Sequence, residues 1–305
     1  MTIGFIGLGV FGGRVATRLV HQGFGLMIFD RVTDAVRYFM LKNSADVAEA
    51  PRTLAALCDI VVCVLPSAAD VRDATLGPLG LAAGLPDGKS LVLLDLGASS
   101  AADARALADE FLPRGVTYIE APAWGTPLDA RDGRLAISCG CDDAGAIEQV
   151  QPILRALAGK IVHTGRAGSA HMMGALAEQM RAAAMLAAAE ALALGKMAGV
   201  APEAFVAWCE GAGLMAPAVA EILRRNAFNR NAVSSGHTIA TVTHNLEMSR
   251  AAAAATGVAL PHLELLANTW LAAGRRRGAE ADHAEIVRWV EEVSAPAPPE
   301  PPTTG

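Results

Sequence analysis

Short apolar runs alternate with amphipathic segments along the first half of the chain. Residues 60–65 and 91–96 are almost continuously apolar, which is typical of strands that are covered on both faces. Residues 11–22 instead carry apolar side chains at the spacing of a helix. Further strands are predicted at the other short apolar runs, which are residues 2–7, 24–29, 116–119, 135–139 and 161–163. The alternation predicts an α/β fold with a parallel, doubly wound sheet.

Only helical patterns follow in the second half of the chain. A long helix is predicted over residues 168–199. Shorter helices are predicted from Pro202 and over residues 217–226, 239–255, 261–274 and 282–292. Residues 182–194 are apolar almost all round, so this stretch needs cover on several sides, and a second copy of the chain could supply it.

These patterns predict three segments. Residues 1–164 form the doubly wound domain, and residues 165–293 form an all-helical dimerisation domain. The proline-rich residues 294–305 form a disordered tail. We therefore expect a homodimer.

The composition narrows the possible partners. The 305 residues carry 25 Lys and Arg against 31 Asp and Glu, a net charge of −6, so a nucleic-acid partner is not expected. Although the mean hydropathy is +0.34, no run approaches about 20 strongly apolar residues, and no membrane span is expected. The five cysteines lack zinc or redox spacing, and the N-terminal residues show no secretory signal. We expect a cytoplasmic protein with reduced thiols.

A glycine-rich turn follows the first predicted strand and opens the first predicted helix. It fits the pattern Gly-x-Gly-x-x-Gly with the residues Gly7, Leu8, Gly9, Val10, Phe11 and Gly12. The first glycine permits a tight turn, the second lets backbone N–H groups approach a pyrophosphate, and the third lets the helix pack on the sheet. The helix N-terminus also favours an anion. The turn therefore predicts a Rossmann dinucleotide site.

The two residues that follow the second predicted strand help to distinguish NAD from NADP as the cofactor. Asp30 lies 18 residues after Gly12, where a carboxylate can accept hydrogen bonds from the ribose hydroxyls of NAD. Arg31 follows at once and could pair with the 2′-phosphate of NADP. We predict NAD as the cofactor, with NADP as the alternative.

Three further segments accompany the glycine-rich turn. They are residues 62–66, the run Glu120-Ala121-Pro122 with Gly125 and Gly133 after it, and residues 188–194 with Gly199 and Pro202 after them. With the turn, these segments resemble the β-hydroxyacid dehydrogenases, the family of 3-hydroxyisobutyrate dehydrogenase, whose relatives include the imine reductases. The resemblance implies a Rossmann domain, an interlocked helical dimer, and hydride transfer between a nicotinamide cofactor and a small substrate in an interdomain cleft.

The resemblance also assigns residues to the cofactor and the substrate. Besides the glycine-rich turn and the residues at 30 and 31, the resemblance assigns cofactor contacts to Leu65, Pro66, Ser67, Gly97 and His244. Substrate contacts fall on Trp124, Gly125, Thr126 and Gly174. The chain departs from the family here, because Gly174 occupies the position of the proton-transferring lysine and Trp124 replaces a serine. The hydroxyls of the family's Asp-x-Ser-Thr turn are also absent at Gly97 and Ala98.

Two ionisable residues lie about one helical turn to either side of the missing lysine. His171 and Glu178 share one face of the predicted helix, and either could transfer a proton, as catalytic acid or base. The alternatives are a packing role for His171 and a pairing of Glu178 with Arg181. His237 and His244 add no His-x-x-x-His motif, so no metal site is predicted.

Two kinds of function fit these residues. The first is an NAD(P)-dependent oxidoreductase that acts on a small hydroxyacid, semialdehyde or imine. An imine fits the missing lysine, because an iminium already carries its charge. The second is a dinucleotide-binding protein that keeps the fold and has lost the chemistry.

Overall fold

The computed structural model describes residues 2–227 and 237–294, apart from the side chains of residues 226 and 227. The chain divides into two compact units, Met1–Gly174 and Ala175–Gly305. The division falls within one long helix, ten residues after position 164, so the domain bounds drawn from the sequence stay a prediction. The tail at 294–305 lies outside the described residues, except for Ser294, which ends the last helix.

A single sheet forms the centre of the first unit. Its strands are β1 (Thr2–Ile6), β2 (Gly25–Phe29), β3 (Asp46–Val47), β4 (Ile60–Cys63), β5 (Leu91–Asp95), β6 (Val116–Glu120), β7 (Ala123–Trp124), β8 (Leu135–Gly140) and β9 (Ala158–Gly165). They lie in the order β3-β2-β1-β4-β5-β6-β8-β7, and β9 also pairs with β8. The chain winds from β1 to one edge and then back past β1 to the other. The doubly wound α/β fold is confirmed.

The sheet is not parallel throughout, and this part of the prediction is wrong. The pairs among β1 to β6 are parallel, but β8 runs antiparallel to both β6 and β7. The connection between β7 and β8, which contains the six-residue helix Pro127–Asp132, is shorter than the crossover of about a dozen residues that parallel neighbours require. The two-residue strands β3 and β7 escaped prediction because so short a run carries no period.

Helices cover both faces of this sheet. They are α1 (Val10–His21), α2 (Thr33–Met40), α3 (Pro51–Leu57), α4 (Ala68–Leu76), α5 (Ala101–Phe111), α6 (Pro127–Asp132) and α7 (Ala144–Leu157). Successive strand residues point to opposite faces, so Val62 and Leu94 join one buried apolar cluster while Val61 and Leu93 join the other. Burial on both faces explains why β4 and β5 form continuous apolar runs.

The second unit is built from helices in its described residues. They are the greater part of α8 (Ser169–Met197), then α9 (Pro202–Gly211), α10 (Pro217–Ile222) with a π-helical turn Leu223–Ala227, α11 (Ile239–Thr256), α12 (Pro261–Arg277) and α13 (Glu285–Ser294). Trp270 is fully buried among them and donates its indole N–H to the Ala182 carbonyl at 3.3 Å. The apolar cluster around it gives this unit a core of its own.

The apolar part of α8 has one buried side and one exposed side. Met185, Ala189 and Leu192 are buried in the core of the second unit. Met180 and Leu194 are 76% and 74% exposed on the other side. The other helices of the same chain therefore bury only one side of α8, whereas the sequence predicts burial on several sides. Although α8 has 29 residues, no helix in the described ranges combines the length and apolarity needed to cross a membrane.

Candidate functional site

The glycine-rich turn leaves open space at one of its three glycines. Gly7 has φ +96°, and a Cβ there would lie 2.2 Å from the Val64 carbonyl oxygen. A Cβ on Gly12 would lie 2.1 Å from the Gly7 carbonyl oxygen. At Gly9, where α1 begins, a Cβ would meet nothing within 4 Å. Gly7 and Gly12 are thus required by the fold, whereas the space over Gly9 fits a pyrophosphate at a helix N-terminus.

The Asp30 carboxylate is fixed beside this turn. Its Oδ2 accepts a hydrogen bond from the Leu8 N–H at 2.6 Å, and its Oδ1 accepts one from the Val32 N–H at 2.7 Å. Each oxygen keeps a second lone pair that a ribose hydroxyl can use. The acid therefore supports the glycine-rich turn and remains able to bind a ribose.

A cavity of about 560 Å³ lies between the turn, the end of β2 and the segment after β4. Its lining carries four carboxylates, from Asp30, Glu49, Asp70 and Asp73. The guanidinium of Arg31 also lines it, but it is paired with the Asp70 carboxylate at 3.1 Å. With four carboxylates and one guanidinium, the cavity lining carries an excess of negative charge.

The segment after β4 contributes both a wall and a helix cap. Leu65 and Pro66 line the cavity. Ser67 caps α4, because its Oγ accepts from the Asp70 N–H at 3.2 Å and donates to the Asp70 Oδ2 at 2.6 Å. Ser67 thus positions the Asp70 carboxylate, which in turn forms the ion pair with Arg31.

Three other residues assigned to the cofactor differ in their surroundings. Val10, the first residue of α1, is exposed, whereas Phe11 packs against an apolar cluster of the first unit. His244 is exposed on α11, in the second unit. Its contact with the cofactor stays a prediction.

The turn after β5 is held by a buried acid. The Gly97 N–H donates to the Asp95 carboxylate at 2.8 Å, and the Tyr118 hydroxyl donates to it at 2.8 Å. Burial raises the pKa of Asp95, and these two donors oppose the shift. Burial and the Asp95 charge raise the pKa of Tyr118 well above its ordinary value. This network holds the backbone N–H of Gly97, a residue that has no hydroxyl of its own.

Glu120, at the end of β6, binds the first turn of α8. Its fully buried carboxylate accepts from the Ala170 N–H at 2.7 Å and from the His171 N–H at 3.3 Å, and it contacts the His171 Nδ1. The His171 Nε2 is buried and has no hydrogen-bond partner. No local pattern predicts this role of Glu120, because the two residues are 51 positions apart in the sequence.

Glu178 belongs to a polar cluster in the second unit. Its buried carboxylate contacts the Arg181 guanidinium, and its Oε1 lies 3.3 Å from the His237 Nε2. The same Nε2 contacts Arg181. Burial works to raise the pKa of Glu178, but the His237 hydrogen bond and the Arg181 charge together hold it below its ordinary value. Glu178 is therefore a paired anion, as the pairing alternative predicted.

His283 completes this cluster as a neutral ring. Its ring centroid lies 4.8 Å from that of His237, and both of its ring nitrogens are buried without a hydrogen-bond partner. Burial, with the nearby charges of His237 and Arg181, lowers the pKa of His283 to about 4. Within residues 2–227 and 237–294, no three His, Cys, Asp or Glu side chains are arranged to hold a metal ion.

Trp124 and Gly174 meet within the first unit. A Cβ on Gly174 would lie 2.7 Å from the Trp124 Cζ2, a distance that real Cβ atoms do not show. The indole nevertheless remains 39% exposed. The space next to Gly174 is therefore filled by tryptophan.

The two residues after Trp124 shape its loop. Gly125 has φ +144°, and a Cβ there would lie 2.8 Å from the Leu135 Cδ2. The Thr126 hydroxyl accepts from the Asp129 N–H at 3.2 Å and donates to the Asp129 Oδ2 at 2.7 Å, which forms a capping box for α6. The hydroxyl assigned to the substrate is thus already engaged.

Comparison with protein families covers both units. Residues 2–165 match the family described as the NAD binding domain of 6-phosphogluconate dehydrogenase. Residues 168–290 match the family described as the NAD-binding region of NADP-dependent 3-hydroxyisobutyrate dehydrogenase. The two matches together span nearly the whole chain.

Individual relatives agree with these matches. A 2-(hydroxymethyl)glutarate dehydrogenase of Eubacterium barkeri is 30% identical over 66% of this chain and 65% of its own length. An NAD-dependent L-serine dehydrogenase of Pseudomonas aeruginosa is 31% identical over 73% of this chain and 69% of its own length. The chain thus matches about two thirds of each relative. The solved 3-hydroxyisobutyrate dehydrogenase of Mycobacterium tuberculosis with L-serine has a TM-score of 0.81 at 23% identity, over 96% of this chain and 99% of that one, which shows a common fold.

Proposed function

Because the chain belongs to the family of 3-hydroxyisobutyrate and 6-phosphogluconate dehydrogenases, we propose that it is an oxidoreductase that transfers a hydride between NAD and a small molecule. The observation that carries this proposal is the open space over Gly9 beside the fixed carboxylate of Asp30. The turn would hold the pyrophosphate, and Asp30 would bind the ribose. When bound, the nicotinamide supplies or accepts the hydride.

Preference for NAD over NADP is part of the proposal. The Asp30 and Glu49 carboxylates in the cavity lining would repel a 2′-phosphate. Arg31 offers little compensation, because Asp70 already pairs with its guanidinium. This arrangement supports NAD as the cofactor.

The contacts of the two candidate acids favour an imine or iminium as the substrate. Reduction of a carbonyl needs a proton donor near the oxygen as the hydride arrives. The His171 Nε2 is buried, and Arg181 engages the carboxylate of Glu178. An iminium already carries its positive charge, so its reduction does not require either group.

Turnover with a panel of substrates tests the proposal. Purified protein is mixed with NADH and a series of ketones, semialdehydes and cyclic imines, and the loss of NADH absorbance is followed. We expect oxidation of NADH with at least one imine. Tight NADH binding without turnover of any member would instead support a non-catalytic dinucleotide-binding protein.

Assembly as a homodimer is a further part of the proposal. The exposed side of α8 carries the large apolar residues Leu176, Met180 and Leu194, with the charged Glu190 between the last two. An exposed apolar stripe of this kind is typical of a protein interface. A second copy of the chain would cover it, as the resemblance implies.

A reducing compartment, such as the cytoplasm, suits the thiols. All five cysteines are free, and four of them are buried. Buried single thiols of this kind act as small apolar side chains. Their state supports the cytoplasmic location that the sequence predicts.

A further inference from the structure

The indole of Trp124 lies directly against the backbone of α8 at Gly174. An ideal Cβ on Gly174 would lie 2.7 Å from Cζ2, 3.5 Å from Cε2 and 3.7 Å from Cη2 of the ring. The benzo edge of the indole therefore occupies the volume that any side chain at position 174 would enter. Glycine in the interior of a helix costs about 1 kcal/mol relative to alanine, and at position 174 it leaves room for the indole.

The backbone that carries Trp124 cannot easily retreat from this contact. Trp124 is paired with Ala136 in the antiparallel ladder of β7 and β8. The next residue, Gly125, has φ +144° and is packed against Leu135. Thr126 then caps α6. The indole is thus anchored at its base by the ladder and at its edge by Gly174.

The remaining part of the ring is available to a ligand. Trp124 is 39% exposed even though the edge of its ring is packed, and the π face of an indole attracts cations more strongly than that of any other aromatic side chain. We propose that Trp124 is a stacking platform for a planar, cationic group of the substrate, an iminium, and that Gly174 is the positioning residue that keeps the indole in place. This inference rests on the proposed hydride transfer and names the substrate group that the site selects.

Kinetics with two matched probes test the platform. One probe is an N-methylated cyclic iminium, and the other is the neutral cyclic ketone of the same ring size. With saturating NADH, Trp124→Ala should raise the KM for the iminium about tenfold and change that for the ketone, if it is turned over, by less than about twofold. Trp124→Phe keeps a π face and should stay within about threefold of the wild type. Trp208→Ala is the matched control, since Trp208 is 66% exposed on α9 and should leave both KM values unchanged.

A double-mutant cycle tests the positioning role of Gly174. Gly174→Ala improves helix propensity but pushes the indole aside, so it should reproduce the rise in KM for the iminium. In the Trp124→Ala background, Gly174→Ala should have no further effect, because no ring remains to be displaced. Additive effects of the two changes would overturn the positioning role.

The possible outcomes distinguish a failure of the stacking role of Trp124 from a failure of the proposed hydride transfer. If the wild type binds NADH but reduces neither probe, the proposed hydride transfer fails. If the wild type reduces the iminium and Trp124→Ala either leaves its KM unchanged or changes the KM of both probes equally, the platform is overturned while the oxidoreductase activity stands. NADH affinity, measured for every variant by its fluorescence, should not change.

Discussion

Glu120 holds the imidazole of His171 by its Nδ1, and it also binds the His171 backbone N–H at the start of α8. A carboxylate at the first turn of a helix satisfies N–H groups that have no partner within the helix. The pair therefore joins the end of β6 to the start of α8. Because the His171 Nε2 is buried and the side chain is only 4% exposed, the ring has little access to solvent for proton exchange.

Substitution of His171 should therefore affect stability more than chemistry. His171→Ala leaves the buried Glu120 carboxylate without its side-chain partner, and we expect the free energy of unfolding to fall by about 2–4 kcal/mol. His171→Asn can place an amide N–H near the position of Nδ1 and should retain most of that stability. Urea unfolding measures both variants. A His171→Asn protein that is stable but turns over an accepted substrate about 100-fold more slowly would restore His171 as the catalytic acid.

Two glycines of the dinucleotide turn should respond in opposite ways. Gly9→Val should fold normally, because Gly9 has φ −59° and open space around it, yet NADH affinity should fall about 10- to 100-fold as close backbone contacts are lost. Gly12→Ala should lower the free energy of unfolding by about 1–3 kcal/mol, because its Cβ meets the Gly7 carbonyl. Thermal unfolding and NADH titration distinguish the two. Unchanged NADH binding by Gly9→Val would contradict the proposed cofactor site.

The sequence was informative where the signal is contiguous. The turn from Gly7 to Gly12 and the carboxylate of Asp30 are close along the chain, so motif spacing alone located them. Continuous apolar runs likewise located β4 and β5, since burial on both faces leaves a local pattern. The long helix α8 was found for the same reason.

The pairs that define the rest of the site are separated too widely for such signals. Glu120 and His171 are 51 residues apart, and Glu178 and His237 are 59 apart. Helical spacing placed His171 and Glu178 on one face, but it could not show which side chains from other elements would meet them. The fit of Trp124 onto Gly174 depends on a two-residue strand that carries no periodic pattern.

Removal of the ion pair between Asp70 and Arg31 should weaken the preference for NAD over NADP. Asp70→Asn removes the charge that pairs with Arg31 and keeps a side chain able to accept from Ser67. We expect the ratio of NADPH to NADH affinity to rise about two- to fivefold, which is the size of one exposed ion pair. Arg31→Ala in the Asp70→Asn background should cancel that gain. A ratio that is the same in all three proteins would mean that Asp70 and Arg31 do not set the preference.

The exposed side of α8 should decide the state of assembly. We expect light scattering to give twice the 31.4 kDa mass of one chain at micromolar concentration. Leu194→Glu places a charge in the apolar stripe and should shift the protein to the monomer. Leu57→Glu, at an exposed leucine on α3, is the control and should remain dimeric. A monomeric wild type would rule out this interface.

His283 should make the protein less stable as the pH falls from 6.5 towards 4. Burial lowers its pKa to about 4 in the folded chain, whereas an unfolded histidine titrates near 6.5. Between these values the unfolded chain binds a proton that the folded chain does not, so the free energy of unfolding decreases on acidification. From pH 7.5 to pH 5 the expected loss from this residue is about 2 kcal/mol. Glu178 contributes little in this range, because its pKa is held below its ordinary value and its stabilisation is lost only at lower pH.

His283→Leu replaces a buried ring that makes no side-chain hydrogen bond, so it should fold and should lose about 2 kcal/mol less than the wild type between the two pH values. His262→Leu changes an exposed histidine on α12 and should keep the wild-type dependence. Urea unfolding at pH 7.5 and pH 5 measures all three proteins, and an equal loss in wild type and His283→Leu would show that His283 is not held neutral by the fold.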